Sequence, residues 1–187
     1  MRVIGGEFRG KKLLAPKDTS ARPTTDRVKE SMFNLIYDDI DEDTVVYDLF
    51  SGTGGLGIEA LSRGAGIAYF CDKNKENYGL TKENVAGCRL NDRSRIVFGD
   101  YKKALETFDL KADLVFLDPP YGADLWKKCA DVLIAQDKLN ENAVIVMEHG
   151  ADHILEGMHP ALSLMKERKY GAIVVSIYRY STLSEEK

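Results

Sequence analysis

Asp48-Leu-Phe-Ser-Gly52-Thr53-Gly54-Gly55-Leu56-Gly57 is the stretch whose reading decides the fold. It closes a short apolar run, Val45 to Phe50, and leads into the helix-compatible Ile58-Glu-Ala-Leu61. The order is strand, glycine turn, helix. Gly52 and Gly54 permit a tight turn and close approach of a ligand to the backbone, while Gly57 lets helix and strand pack closely. Such a loop exposes backbone N–H groups to a bound molecule. Taken alone, the G-x-G-x-x-G spacing also suits a dinucleotide oxidoreductase, so the surrounding residues must discriminate.

Downstream, the apolar runs Ile67 to Cys71, Ile96 to Phe98, Leu114 to Leu117 and Ala143 to Met147 alternate with segments long enough for helices near 55–63, 74–88, 101–107 and 124–135. Strands covered on both faces read as continuous apolar runs, which predicts an α/β protein with a largely parallel sheet. Segments near 163–168 and 172–180 are separated mainly by Lys169, Tyr170 and Gly171. That connection is too short for a crossover helix and implies an antiparallel hairpin at the end of the sheet. Seven strands with one reversed are expected. Upstream, Arg2 to Leu14 reads as two short strands around a glycine turn, with Gly5 and Gly6 available for positive φ. Thr25 or Asp26 caps a helix running to about Tyr37, with Val28, Met32, Phe33, Leu35 and Ile36 as its apolar stripe. Residues 1–40 thus form a small β-hairpin and helix extension that leans on the main domain, 41–187.

At 187 residues the chain has room for one domain plus that appendage. Its 44% apolar and 30% charged residues exclude collagen-like, mucin-like and wholly disordered classes. The net charge of -4 argues against a strongly basic coat protein, but the distribution is uneven. Residues 1–30 carry eight Lys or Arg against four acids, leaving an acidic body. A basic lead of this kind is either a phosphate-binding face or an ordinary solvated segment. Arg9, Lys11 and Lys12 on the hairpin are the candidates for phosphate contact. Cys71, Cys88 and Cys129 cannot pair completely and lack metal-site spacing, which points to a reducing compartment and no metal. No signal-peptide stretch or bilayer-length apolar run is visible, so a soluble cytoplasmic protein is expected.

Two constellations carry chemistry. Asp72 ends the second main strand, where its carboxylate can accept hydrogen bonds from two ribose hydroxyls, or serve as a turn residue. Asp100 ends the third, where it can accept from an adenine amine or cap the next helix. Tyr101 flanks adenine or packs its helix. With Asp48, Gly52, Thr53 and Gly54, these residues outline an adenosine-shaped site at the carboxyl edge of the sheet. Asp48 has the alternative of simply positioning the loop.

Asp118-Pro119-Pro120-Tyr121 directly follows the apolar strand Leu114 to Leu117. Two prolines remove two donors and stiffen the turn, leaving the Pro119 carbonyl and Asp118 carboxylate to accept both hydrogens of one planar amine. Tyr121 supplies a ring to stack on a nucleobase. An exocyclic base amine is a poor nucleophile, and holding it beside an activated methyl needs neither a Ser or Cys nucleophile nor a metal. His149, at a strand end, reads as a structural hydrogen-bonding residue, and Trp126 and Cys129 as one packed helix face.

With these motifs the sequence resembles the RsmD-like family, bacterial methyltransferases acting on the exocyclic N2 of a guanine in small-subunit ribosomal RNA. The likeness includes Met1 to Leu13, Arg22-Pro-Thr-Thr-Asp-Arg-Val-Lys-Glu30, Asp48 to Ala65 and Phe116-Leu-Asp-Pro-Pro-Tyr121. It implies a class I S-adenosylmethionine-dependent Rossmann-like fold, order 3-2-1-4-5-7-6 with strand 7 antiparallel, and S-adenosylhomocysteine as product. It further implies that Asp48, Gly52 and Gly54 belong to the donor loop, Asp72 contacts ribose, Asp100 lies by adenine, and Asp118, Pro119 and Tyr121 hold the amine. The same resemblance places Arg22 to Arg27 near the site, so that Thr24 or Arg27 meets the donor's carboxylate or the RNA, with Arg22 suited to either anion. The implied partner is 16S rRNA in an assembled or partly assembled small subunit; nothing in the sequence marks a dimer interface, so a monomer is expected. An amino-group methyltransferase for adenine N6 of DNA or a protein glutamine amide is the alternative acceptor reading. Gly55 and Cys71 depart from the family's usual Ala and Val or Ile.

Overall fold

The computed structural model describes residues 1–16, 25–119, 125–153, 155 and 157–183. Its regular elements are α1 (Asp26–Leu35), β1 (Val45–Asp48), α2 (Gly55–Ser62), β2 (Ile67–Asp72), α3 (Lys75–Gly87), β3 (Ser94–Phe98), α4 (Tyr101–Thr107), β4 (Ala112–Leu117), α5 (Leu125–Ala135), β5 (Leu139–Gly150), β6 (Leu162–Tyr170) and β7 (Ile173–Tyr180). They build a seven-stranded sheet in the order β3-β2-β1-β4-β5-β7-β6. The pairs from β3 to β5 are parallel, and β7 runs antiparallel to both β5 and β6. This is the expected doubly covered methyltransferase sheet with one strand reversed.

All four residues of β1 are buried because helices cover both faces. Val45 and Tyr47 face the layer that includes Leu105, Phe108, Trp126 and Leu133 of α4, α5 and their flanks. Val46 faces the other layer, with Met32, Phe33, Ile58, Leu61 and Val85 of α1, α2 and α3. Alternation along a strand thus sorts one continuous apolar run into two cores. Among the described residues no helix is long and apolar enough to cross a membrane.

The N-terminal segment keeps the expected hairpin in reduced form. Arg2 and Lys12 make an antiparallel bridge, and Val3 N donates to Lys11 O at 2.9 Å, Gly10 N to Val3 O at 2.9 Å and Leu13 N to Met1 O at 3.1 Å. Further donors tie its turn to the body. Ile4 N and Gly5 N donate to the buried Glu59 carboxylate at 2.8 and 2.7 Å, and Phe8 N donates to Ser62 Oγ at 2.9 Å. Helix α2 therefore anchors the turn of this hairpin, while its two arms bond each other. Gly6, at φ 73°, passes so close to Ser62 that a Cβ would fall 1.8 Å from its carbonyl oxygen. Lys29 of α1 and Arg63 neutralise Glu59 at 3.2 and 2.8 Å, and Lys29 Nζ also donates to Arg2 O at 2.6 Å. Burial pushes the Lys29 pKa down, with Glu59 opposing that shift. Helix α1 begins at Thr25, whose hydroxyl accepts from Val28 N, and ends at Leu35, two residues short of expectation. A separate 3-10 turn then covers Tyr37–Asp39.

Candidate active site

The glycine loop spans the gap between β1 and α2, and each glycine has a different job. Gly52 adopts φ 54° and a Cβ there would meet nothing within 4 Å, so its surface is open to a ligand. Gly54, at φ 78°, is the N-cap of α2. A Cβ on it would come within 3.1 Å of Thr81 and 3.3 Å of Ile58, so here the missing side chain serves helix packing. Gly57 lies so near Phe70 of β2 that a Cβ would sit 2.3 Å from the ring. That is the helix–strand contact the spacing implied.

Carboxylates fix the loop from below. Asp48 is buried, and its Oδ2 accepts from Gly57 N at 2.9 Å. Desolvation pushes its pKa up to about 7, with the Gly57 bond opposing and Asp72 adding to the rise. Asp72 Oδ2 accepts from Gly52 N at 2.9 Å and Asn77 Nδ2 at 3.1 Å, while Oδ1 accepts from Asn74 N at 2.8 Å. A carboxylate offers about four acceptor positions. A ribose presenting two hydroxyls to Asp72 therefore displaces one of these internal donors.

Other sequence candidates divide. Asp100 is exposed and caps α4, accepting from Lys102 N at 3.0 Å, which leaves acceptor capacity toward the site. Tyr101 is 4% exposed and packs against Phe50 at 5.7 Å, so its ring belongs to the core. Thr53 is buried too, its hydroxyl donating to Met1 Sδ at 3.4 Å. Arg9, Lys11, Lys12 and Arg27 are exposed. Arg22, Thr24 and Tyr121 lie outside the described residues. His149 bonds Ser176 Oγ through Nε2 at 2.9 Å, a structural arrangement, and Trp126 and Cys129 are buried.

Asp118 stands at the end of β4, and β4 neighbours β1 with Phe116 opposite Asp48. Solvent reaches Asp118. Protein nevertheless crowds its carboxyl enough that lost hydration raises its pKa well above the ordinary value, with Glu148 and then Asp48 adding to the rise. Pro119 beside it is buried. The loop, Asp72 and Asp118 thus share the carboxyl edge of three adjacent strands.

Sequence reasoning missed four residues here. Glu148, near the end of β5, is the largest charged influence on Asp118. Asn77, Thr81 and Asn84 of α3 hold the loop. Thr81 Oγ1 donates to Gly52 O at 3.0 Å, and Asn84 Nδ2 donates to Thr53 O at 2.9 Å and Leu14 O at 3.0 Å. Their signal was present as polar residues at 77, 81 and 84, the i, i+4, i+7 spacing at which an amphipathic helix usually turns apolar residues inward.

A family described as "Conserved hypothetical protein 95" matches residues 1–179. Ribosomal RNA small subunit methyltransferase D of Escherichia coli is 31% identical over 185 residues, covering 99% of this chain and 92% of that protein. The chain belongs to the RsmD-like methyltransferase family. A solved Escherichia coli structure, yhhF, superposes with a TM-score of 0.86 at 29% identity, covering 97% of this chain and 98% of that one. An RNA methyltransferase from Salinibacter ruber, solved with S-adenosyl-L-homocysteine, shares the fold at a TM-score of 0.64 and 19% identity, over 88% of this chain and 97% of its own.

Proposed function

We propose that this RsmD-like protein transfers a methyl group from S-adenosylmethionine to the exocyclic N2 amine of a guanine in 16S rRNA of the small ribosomal subunit. The observation that carries the reading is the placement of an open glycine loop and the Asp118-Pro119 turn on the ends of neighbouring strands, β1 and β4. The kinship with small subunit methyltransferase D supports the acceptor.

The residues present fit the donor. Space above Gly52 admits its body, and Asp72 faces that space as the ribose acceptor. When bound, S-adenosylmethionine supplies an electrophilic methyl on a sulfonium centre. Asp118 and the Pro119 carbonyl accept the two amine hydrogens, localising the nitrogen lone pair, and Tyr121 stacks on the base. The lone pair takes the methyl carbon as the carbon–sulfur bond breaks, and the nitrogen sheds its extra proton to the Asp118 carboxylate or to solvent. Ionised, Asp118 is acceptor-only and can also take the proton that the amine sheds, so its raised pKa makes transfer climb with pH as the carboxyl ionises. The target base must leave its helix to reach this edge, which favours a looped or everted nucleotide. Residues 1–40, with Arg9, Lys11, Lys12, Arg22 and Arg27, supply cationic contacts to the RNA, and Thr24 is assigned to the donor.

Purified protein is incubated with labelled S-adenosylmethionine and small subunits lacking the modification, and the RNA is digested to nucleosides for mass analysis. N2-methylguanosine is the expected product. N6-methyladenine, or no transfer to correctly assembled subunits, overturns the assignment.

A further inference from the structure

We propose that the outward face of α3, together with Phe98 at the end of β3, is a second RNA-contact surface that stacks an unpaired nucleotide and tracks its flanking phosphates. It rests on the RNA reading given above and extends that reading to residues remote from the amine turn.

Phe98 is 53% exposed at the carboxyl end of an edge strand, an unusual place for a large ring in the absence of a partner. Tyr78 of α3 lies beside it, ring centroids 5.5 Å apart, and Lys82 Nζ sits 5.5 Å from the Tyr78 ring. Positions 75, 78, 79 and 82 share one helix face by i, i+3, i+4 and i+7 spacing, so Lys75 joins Tyr78 and Lys82 there. The acids of the same helix, Glu76 and Glu83, are turned about 80 to 100° away from Lys75. Charge is thus sorted around α3, and the cations fall on the side with the aromatic rings.

Gly79 occupies the margin of that cationic face, about 40° from Lys75 on one side and from Glu83 on the other. Glycine is the poorest helix residue after proline. Nothing in the described structure accounts for it by packing, because a Cβ at Gly79 would meet no atom within 4 Å. Its effect is a strip free of side chain beside Lys75, suited to close approach of a sugar-phosphate backbone. Two aromatic rings with flanking cations are the combination that binds single-stranded nucleic acid, through stacking and phosphate attraction. The location suits a large substrate. Phe98 is opposite Asp72 in the register, on the same sheet edge as Asp118. Three strand spacings separate β3 from β4, about 14 Å, a span of a few nucleotides.

The test is steady-state methyl transfer to unmodified small subunits at saturating S-adenosylmethionine, with S-adenosylhomocysteine affinity measured alongside. Phe98→Ala should raise the subunit KM about tenfold with unchanged kcat and unchanged S-adenosylhomocysteine affinity. The pair Lys75→Gln and Lys82→Gln should do likewise and flatten the salt dependence of KM by a slope of about 1.4, the loss of two phosphate contacts on a single strand. Gly79→Gln separates binding from folding. It restores helix propensity, so Tm should hold or rise while the subunit KM climbs. Wild-type transfer with unchanged subunit KM in all three variants overturns the inference and leaves the methylation reading standing. Absence of wild-type transfer overturns that reading, and this inference with it.

Discussion

The two ends of the sheet are both acidic, and they behave differently. At the amino end, Asp38, Asp39, Asp41, Asp43 and Asp113 line an open depression of about 430 Å³ with Asn140 and Asn142. At the carboxyl end stand Asp48, Asp72, Asp100, Asp118 and Glu148. Three of the amino-end carboxylates are occupied with local structure. Asp41 Oδ1 accepts from Thr44 Oγ1 and Asp43 N, Asp113 accepts from Val45 N and Asn140 Nδ2, and Asp39 pairs with Arg179 at 2.9 Å. The carboxyl-end acids instead lie against an open glycine loop, and two of them have pKa values raised by lost hydration. Counting acids does not separate the ends, five against five. What separates them is that the carboxyl-end acids flank a ligand-accessible backbone and two of them hold raised pKa values.

The sharpest way to break this contrast is a matched pair of substitutions. Asp118→Ala should lower methyl transfer about 100-fold or more while subunit binding persists. Asp113→Ala should leave kcat unchanged and cost about 1–2 kcal/mol of stability, because Val45 N loses its acceptor. Equal loss of activity from both would erase the distinction between the two ends.

A second experiment uses pH. Asp48 has a folded pKa of about 7 against an ordinary 3.8, so the folded state holds its proton longer than the unfolded chain does. Stability therefore falls as pH rises from about 4 to 7 and then levels off. Asp48→Asn keeps an acceptor for Gly57 N but cannot ionise. Urea titrations across that window should show the variant losing this slope and gaining up to about 4 kcal/mol relative to wild type above pH 7. An unchanged slope would mean that Asp48 is better hydrated than its burial implies.

The smallest effect belongs to the amino end. Asp41→Ala should cost about 1 kcal/mol or less, since Thr44 and Asp43 can turn to water, and should leave donor affinity untouched. A measurable change in S-adenosylhomocysteine binding would reveal unsuspected coupling between the edges.

The fold was legible because its decisive signals are local. Continuous apolar runs announced strands covered on both sides, and the short Lys169-Tyr170-Gly171 connection announced the reversed pair. The hairpin expected over Arg2 to Leu14 is present in reduced form, paired through the Arg2–Lys12 bridge, and its turn is held by Glu59 and Ser62 on α2. No periodicity in the first 14 residues encodes a partner some 50 positions away. For the candidate site, sequence reasoning marked Asp48, Asp72 and Asp118 at strand ends and Gly52 in the turn, and the structure has them on one sheet edge. At Tyr101 and Thr53 the side chains turn into the protein, for Tyr101 the packing alternative. Glu148 and the polar seam of α3 went unnoticed, since each acts through neighbours far away in the chain.

Residue order alone determined which segments become strands, where the tight turn falls, and which oxygen-bearing groups stand at strand ends. Those are consequences of side-chain periodicity and backbone sterics within a few residues. Only the tertiary structure decided which glycine faces open space, which carboxyls lose their water, and which donors the N-terminal segment spends on α2. Hydration and hydrogen-bond partnership depend on everything packed around a group, and most of what packs around these groups comes from elsewhere in the chain.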